Sequence, residues 1–75
     1  MELANSPNSH NAKTKMLTPD QIKIIAYIAS GATDEEIAGK LRISPHSIET
    51  EIDKIFEKIK VSNRLEATLW AAKNL

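Results

Sequence analysis

Apolar residues recur at helical spacing along most of the chain, beginning shortly after residue 17. The first such stretch contains Ile22, Ile25, Ala26, Ile28 and Ala29. Thr18 precedes it and can act as an N-cap, with Pro19 suited to the first helical position and Gln21 placed to complete a capping box. Gly31 follows the stretch, where a left-handed helix end favours glycine. The pattern predicts a first helix over residues 19–30.

Two further helices follow closely. The segment 33–36 (TDEE) repeats the capping-box pattern and places acids near the positive end of the helix dipole, which predicts a short helix over residues 34–41. After a tight turn, Ser44 can cap and Pro45 can start a third helix over residues 45–59. One continuous apolar face of this helix comprises Ile48, Ile52, Ile55, Phe56 and Ile59.

A fourth helix is predicted over residues 64–73. Asn63 can cap it with Glu66 as the capping-box partner, and Val61 is expected to pack just after the third helix. Its expected apolar positions are Leu65, Leu69, Trp70 and Ala72. Four helices joined by links of about three or four residues indicate an all-α fold, a compact four-helix bundle.

The composition narrows the class of protein. Residues 1–16 are rich in Asn, Ser and Ala and lack apolar periodicity, which favours a flexible N-terminal tail or linker ahead of one domain over residues 17–75. The chain has no cysteine, which excludes disulfides and thiolate metal sites and favours the cytoplasm. No apolar run approaches the roughly 20 residues that a membrane span needs. The initial Met fits either a free-standing protein or a linker cut from a larger protein.

The sequence gives little support for an enzymatic function. The sequence lacks a glycine-rich phosphate loop, and neither His10 nor His46 has an evident catalytic partner. The carboxylates are predicted on exposed helix faces, and 75 residues leave little room for a cleft. We therefore expect no enzymatic activity, no cofactor and no metal.

The second helix, the tight turn and the third helix together have the shape of a helix-turn-helix. In such modules the second helix of the motif lies in the major groove of DNA, with its N-terminal turns facing the base edges. Two amphipathic helices with a short link are also common in any small bundle. Spacing alone therefore leaves both DNA binding and a purely structural arrangement open.

The motifs along the chain are more specific than the spacing. In order, they are LTP at 17–19, IASGATDEEIA at 28–38, LRIS at 41–44, SIE at 47–49, IFEKIKV at 55–61 and NRLEA at 63–67. This series resembles the LuxR/GerE-type helix-turn-helix domain over residues 17 to about 73. The resemblance implies a four-helix DNA-binding domain of bacterial transcription regulators, many of them NarL-type response regulators. It also implies that the third helix is the recognition helix and that the fourth mediates dimerisation on DNA.

The resemblance and the predicted helices together nominate site residues. Thr33 at the start of the second helix, Lys40 and Arg42 beside the turn, and His46 early in the third helix are candidates for contacts with phosphate or base. The full set of candidate DNA-contacting residues is Thr33, Lys40, Arg42, His46, Ser47, Glu49, Thr50, Asp53, Lys54 and Lys58. The candidate dimer residues are Leu65, Leu69, Trp70 and Lys73. The implied partners are double-stranded DNA and a second copy of the chain, with RNA polymerase or another protein as a further candidate, and no membrane.

The chain departs from the family in the recognition helix. Glu49 stands where Lys or Arg is typical, Glu51 where His is frequent, and Asp53 where polar or basic residues are usual. After the Leu-Thr-Pro opening, the family commonly has Arg-Glu, whereas this chain has Asp20 and Gln21. These departures put the usual mode of DNA contact in question.

The helical period divides the exposed face of the third helix into two rows. Glu49, Asp53 and Glu57 form one row, here called the acidic row, and Thr50, Lys54 and Lys58 form the adjacent row. Acids oppose the phosphate neutralisation on which duplex binding depends, and the chain has no net positive charge.

Three interpretations of the acidic row remain open. Glu49 can accept a hydrogen bond from a cytosine amino group while the lysines hold the backbone. Alternatively, the row is a solvated helix face, with local pairing of Glu57 and Lys60, or a docking surface for a basic protein. The sequence thus predicts either a dimeric DNA-binding regulator or a protein-interaction module that has kept the fold and lost DNA affinity.

Overall fold

A computed structural model describes residues 16–75, and within that range the chain forms four helices and no strand. They are α1 (Pro19–Ala29), α2 (Asp34–Leu41), α3 (Pro45–Ile59) and α4 (Arg64–Asn74). The predicted all-α four-helix fold is confirmed, with α1 ending one residue earlier and α4 one residue later than expected. Except for Met16, the predicted N-terminal tail lies outside the described residues.

Side-chain caps start each of the four helices. Both predicted capping boxes at Thr18 and Thr33 are present, and Ser44 caps α3 by accepting from the amide of Ser47. The predicted box at α4 is only half correct. Asn63 accepts from the Glu66 amide at 2.8 Å, but the Glu66 carboxylate accepts from the amide of Ser62, at 2.7 Å, and not from that of Asn63. These bonds satisfy amides that a helix N-terminus otherwise leaves unpaired.

Each of the three links between helices has one residue in the left-handed conformation, within two residues of the end of the preceding helix. These residues are Gly31 (φ 92°), Arg42 (φ 58°) and Lys60 (φ 63°). The residue after each one donates its amide to the carbonyl five positions earlier, which closes the helix end. These following residues also pack on the core, and they are Ala32, Ile43 and Val61. The same local geometry therefore turns the chain at every link.

The core is built mainly from isoleucine. The largest fully buried side chains are Ile24, Ile25, Ile37, Ile48 and Ile55. The apolar face predicted for α3 is confirmed, with Phe56 half-buried at its edge. In α1 the prediction was partly wrong, because Ala26 and Ala29 are exposed and Ile24 takes a core position. α1 lies against both α4 and α3, and α2 lies against α3.

The inner face of α4 differs from the one predicted. Leu65 and Leu69 are 69% and 60% exposed, and Ala72 is exposed as well. The buried positions are Ala67, Trp70 and Ala71. Because α4 has its most extensive contact with α1, small side chains at two of these positions allow close approach of the helices, and Trp70 supplies the bulk.

Arg64 ties the start of α4 to the link between α1 and α2. Its guanidinium lies 2.8 Å from the Asp34 carboxylate and also donates to the carbonyl of Ala32. Both charged side chains are more than a third exposed, so this ion pair adds little to stability. It does fix the position of the N-terminus of α2, the first helix of the α2–turn–α3 unit described below.

Candidate nucleic-acid interface

The α2–turn–α3 unit has the short connection of a helix-turn-helix. Residues 42–44 link the helices, and Arg42 reverses the chain direction in the left-handed conformation. The Ile43 amide donates to the carbonyl of Ala38 at 3.0 Å, which seals the end of α2. Lys40 and Arg42 are exposed beside this turn, and His46 is exposed in the first turn of α3. The turn therefore presents two cations and a histidine to solvent.

Two of the predicted polar contacts already have partners within the domain. The Thr33 hydroxyl accepts from the Glu36 amide at 3.1 Å, and the Thr33 amide donates to the Glu36 carboxylate at 2.8 Å. Ser47 shares a 3.0 Å hydroxyl–hydroxyl bond with Ser44. The first turn of α2 also carries three acids. A phosphate at Thr33 has to displace the Glu36 carboxylate, so this end of α2 is a poorer anion site than its position suggests.

The acidic row lies on the outer surface of α3. Glu49, Asp53 and Glu57 are all exposed, and none of the three forms an ion pair with any residue in the range 16–75. Thr50 lies between them, and its hydroxyl donates to the His46 carbonyl at 3.2 Å. The hydroxyl proton is thus used within the helix, and the outward atoms of Thr50 are an oxygen lone pair and a methyl group.

The lysines of the adjacent row do not balance these acids. The Lys54 ammonium lies 3.7 Å from the Glu51 carboxylate, one turn earlier in α3. The Lys58 ammonium donates to the Gln21 side-chain oxygen at 3.0 Å and to the Met16 carbonyl at 3.1 Å. Lys58 is therefore bonded within the domain and directed towards the N-terminus of α1, whereas Lys54 takes part in a surface ion pair and its side chain is 59% exposed.

Gln21 joins α1 to α3, and sequence reasoning assigned it only a capping role. The side chain is 5% exposed, and its oxygen accepts from the Thr18 amide as well as from Lys58, each at 3.0 Å. Its nitrogen donates to the Glu51 carboxylate at 3.2 Å. We call this set of contacts the Gln21 network. The signal that could have revealed it is that positions 21 and 51 both depart from the usual residues of the resembled family.

The candidate dimer residues divide between two faces of α4. Leu65, Leu69 and Lys73 are exposed, and Ala72 extends the same outward surface. Trp70 is 8% exposed and contributes to the core. Its indole nitrogen has no hydrogen-bond acceptor among the described residues. Leu65 and Leu69 thus form an unpaired apolar surface, while Trp70 supports the helix from inside.

Comparison with known proteins agrees with this geometry. Residues 15–71 match the family described as bacterial regulatory proteins, luxR family. The chain is 35% identical over 66 residues to the CsgBAC operon transcriptional regulatory protein of Escherichia coli, covering 88% of this chain and 31% of that protein. It is 38% identical over 63 residues to the transcriptional regulatory protein ComA of Bacillus subtilis, covering 84% and 29%.

A third relative, the HTH-type transcriptional regulator MalT of Vibrio cholerae, is 32% identical over 71 residues, covering 93% of this chain and 8% of MalT. The chain therefore spans less than a third of the length of these three relatives. Between residues 16 and 75, no helix has the length and apolar character needed to cross a membrane.

Proposed function

Because this chain belongs to the LuxR family of bacterial regulatory proteins, we propose that it binds duplex DNA with α3 in the major groove and regulates transcription. The observation that carries the proposal is the family match across the whole α2–turn–α3 unit, together with the exposed outer face of α3. The N-terminal turns of α3 are the part that meets base edges in such modules. This role places the protein in the bacterial cytoplasm and requires no catalytic chemistry.

The cations at the turn are the best-placed phosphate ligands. Lys40 and Arg42 are exposed and have no described ion-pair partner, whereas Lys54 and Lys58 are engaged with other groups. An exposed guanidinium can donate two parallel hydrogen bonds to two oxygens of one phosphate. Phosphate contacts position a protein on the duplex, so the turn sets the register of α3 in the groove.

We expect the salt dependence of DNA binding to identify these contacts. Each phosphate that the protein neutralises adds about 0.9 to the slope of log affinity against log salt concentration. Lys40→Ala and Arg42→Gln should therefore each reduce the slope by about 0.9 and weaken binding to all sequences alike. The measurement is fluorescence anisotropy of a labelled duplex over a salt series. Lys23→Ala, which removes an exposed lysine from the outer side of α1, is the matched control and should leave the slope unchanged.

Absence of binding to any duplex at low salt contradicts the proposal. Equal slopes for the wild-type protein and both turn variants contradict the assignment of phosphate contacts to the turn, even if DNA is bound.

The outer surface of α4 is proposed to bind a second copy of the chain. Leu65 and Leu69 are the most exposed large apolar residues of the helix, and Lys73 lies at the edge of the same surface. Two copies related by a two-fold axis bury this surface against itself and place two recognition helices on paired half-sites. RNA polymerase or another protein would then bind surfaces of the domain that the dimer leaves exposed.

Leu69→Asp tests the dimer. We expect the variant to lose cooperative binding to a duplex carrying two half-sites, with at least about a tenfold loss of affinity, because the charge must be buried in the interface. Binding to a single half-site should be unchanged. Ala26→Asp introduces the same charge at an exposed alanine on α1 and serves as the control. Identical cooperativity in Leu69→Asp and wild type places the dimer contact elsewhere.

A protein-interaction role is the second candidate function. It is favoured by the three exposed acids of α3 and by the hydrogen bonds that direct Lys58 towards α1, which remove one cation from that face. The partner is then a basic protein surface. The salt titration separates the two candidates, since this alternative predicts no duplex binding at low salt.

A further inference from the structure

We propose that Glu49 and Asp53 are specificity-determining residues that select cytosine in each DNA half-site. The inference rests on the proposed function, because it concerns which bases α3 reads once it lies in the major groove. It departs from the arginine–guanine and lysine–guanine contacts that are the commonest in direct readout. What supports it is the distribution of hydrogen-bond donors and acceptors on the outer face of α3.

Between residues 49 and 57, this outer face presents acceptors almost exclusively. The carboxylates of Glu49 and Asp53 accept only, and the Thr50 hydroxyl proton is bonded to the His46 carbonyl. Lys54, the one ammonium on this stretch, is 3.7 Å from Glu51. Lys58, just beyond it, donates to Gln21 and to the Met16 carbonyl. Thr50 and Lys58 thus use donors within the domain, and Lys54, whose side chain is 59% exposed, is the one ammonium left among the available acceptors.

An acceptor face is complementary to only two groups in the major groove. These are the N4 amino group of cytosine and the N6 amino group of adenine. Guanine presents two acceptors there, and thymine presents an acceptor and a methyl group, so both repel or fail to bond a carboxylate. In adenine the amino group adjoins N7, a further acceptor, which repels a carboxylate oxygen that approaches in the base plane. Cytosine carries C5–H where adenine has N7, so a carboxylate that approaches on that side of the amino group meets no acceptor, and cytosine is the preferred base.

The position of the two residues fits this role. Glu49 and Asp53 are four residues apart, so both lie on one side of α3 within its first three turns. Glu57 continues the same row but belongs to the last turn, away from the end of the helix that meets the bases. Of the three acids, Glu49 and Asp53 therefore contact bases, and Glu57 lies outside the base contacts.

The test is selection of bound duplexes from random DNA, using the 75-residue chain and three single variants. For the wild type we expect cytosine to be enriched at two positions of the half-site. Glu49→Gln should change one of these from cytosine to adenine, and Asp53→Asn should change the other, because amide side chains pair with adenine N6 and N7. Glu57→Gln makes the same chemical change one turn further along and should leave the selected sequence unaltered.

A second measurement tests the contact directly. In the selected duplex, each enriched cytosine is replaced by a pyrimidinone that lacks the N4 amino group. Wild-type affinity should fall by about 5- to 150-fold at each position, and the matching variant should lose its sensitivity to the replacement.

The outcomes distinguish this inference from the proposed function. A selected sequence without cytosine, or one that neither Glu49→Gln nor Asp53→Asn alters, overturns the cytosine assignment and leaves DNA binding intact. Enrichment of no sequence, together with no binding at low salt, overturns both.

Discussion

Replacement of Trp70 by alanine is expected to remove half or more of the stability of the domain. Trp70 is 8% exposed and is the largest side chain of the core, on the helix that packs most extensively against α1. Truncation of a buried aromatic residue to alanine typically costs about 3–5 kcal/mol. A domain of this size has a total stability of only about 3–9 kcal/mol. Urea denaturation followed by circular dichroism should therefore give a free energy of unfolding about 3–5 kcal/mol below that of the wild type.

Trp70→Phe is the matched control for this prediction. The indole nitrogen is buried without an acceptor among residues 16–75, so phenylalanine removes a polar group that contributes desolvation cost and no hydrogen bond. We expect a change in unfolding free energy within about 1 kcal/mol, because the loss of ring volume is partly offset by the loss of the polar group. A phenylalanine variant as unstable as the alanine variant contradicts this account of the indole nitrogen.

Gln21→Glu should produce the second-largest loss of stability, after Trp70→Ala. The amide of Gln21 donates to an acid, Glu51, and accepts from a base, Lys58, and a carboxylate can do only the second. The variant loses the bond to Glu51 and places two carboxylates at hydrogen-bonding distance. We expect a loss of about 2 kcal/mol in the free energy of unfolding, since one hydrogen bond to a charged group is broken and a like-charge contact is formed.

Exchange of the two partners supplies the control. In Gln21→Glu combined with Glu51→Gln, the amide at position 51 can donate to the carboxylate at position 21, which still accepts from Lys58. The double variant should recover at least half of the lost stability, so that the coupling energy of the cycle exceeds about 1 kcal/mol. If the double variant instead loses as much unfolding free energy as the two single variants together, the Gln21–Glu51 bond has no direct role in stability.

The features that could be predicted from the sequence are those set by near neighbours in the chain. Three helices are capped by a hydroxyl that accepts from the backbone amide three residues later, and the capping residues are Thr18, Thr33 and Ser44. This spacing of three residues can be seen directly in the sequence. The apolar face of α3 was equally visible, because five large side chains recur at the helical period.

The features that could not be predicted depend on how helices pack. Leu65 and Leu69 look like core residues by their chemistry. In α4, however, the residues that face inward against α1 are Ala67, Trp70 and Ala71. Lys58 is a candidate DNA contact by its position in α3, and no local pattern indicates that α1 places the Gln21 oxygen 3.0 Å from its ammonium, across 37 positions of sequence. A helical wheel shows the direction of a side chain and not the group that another helix brings to it.

The left-handed helix ends at Arg42 and Lys60 have a consequence for evolution and engineering. A residue with a β-carbon is disfavoured in this conformation by about 1–2 kcal/mol, and glycine would adopt it freely, as Gly31 does in the first link. Glycine at position 60 is therefore an accessible route to greater thermal tolerance. At position 42 the same exchange removes an exposed guanidinium that we propose as a phosphate ligand. Under that proposal, stability and DNA binding are opposed at one link of the domain and independent at another.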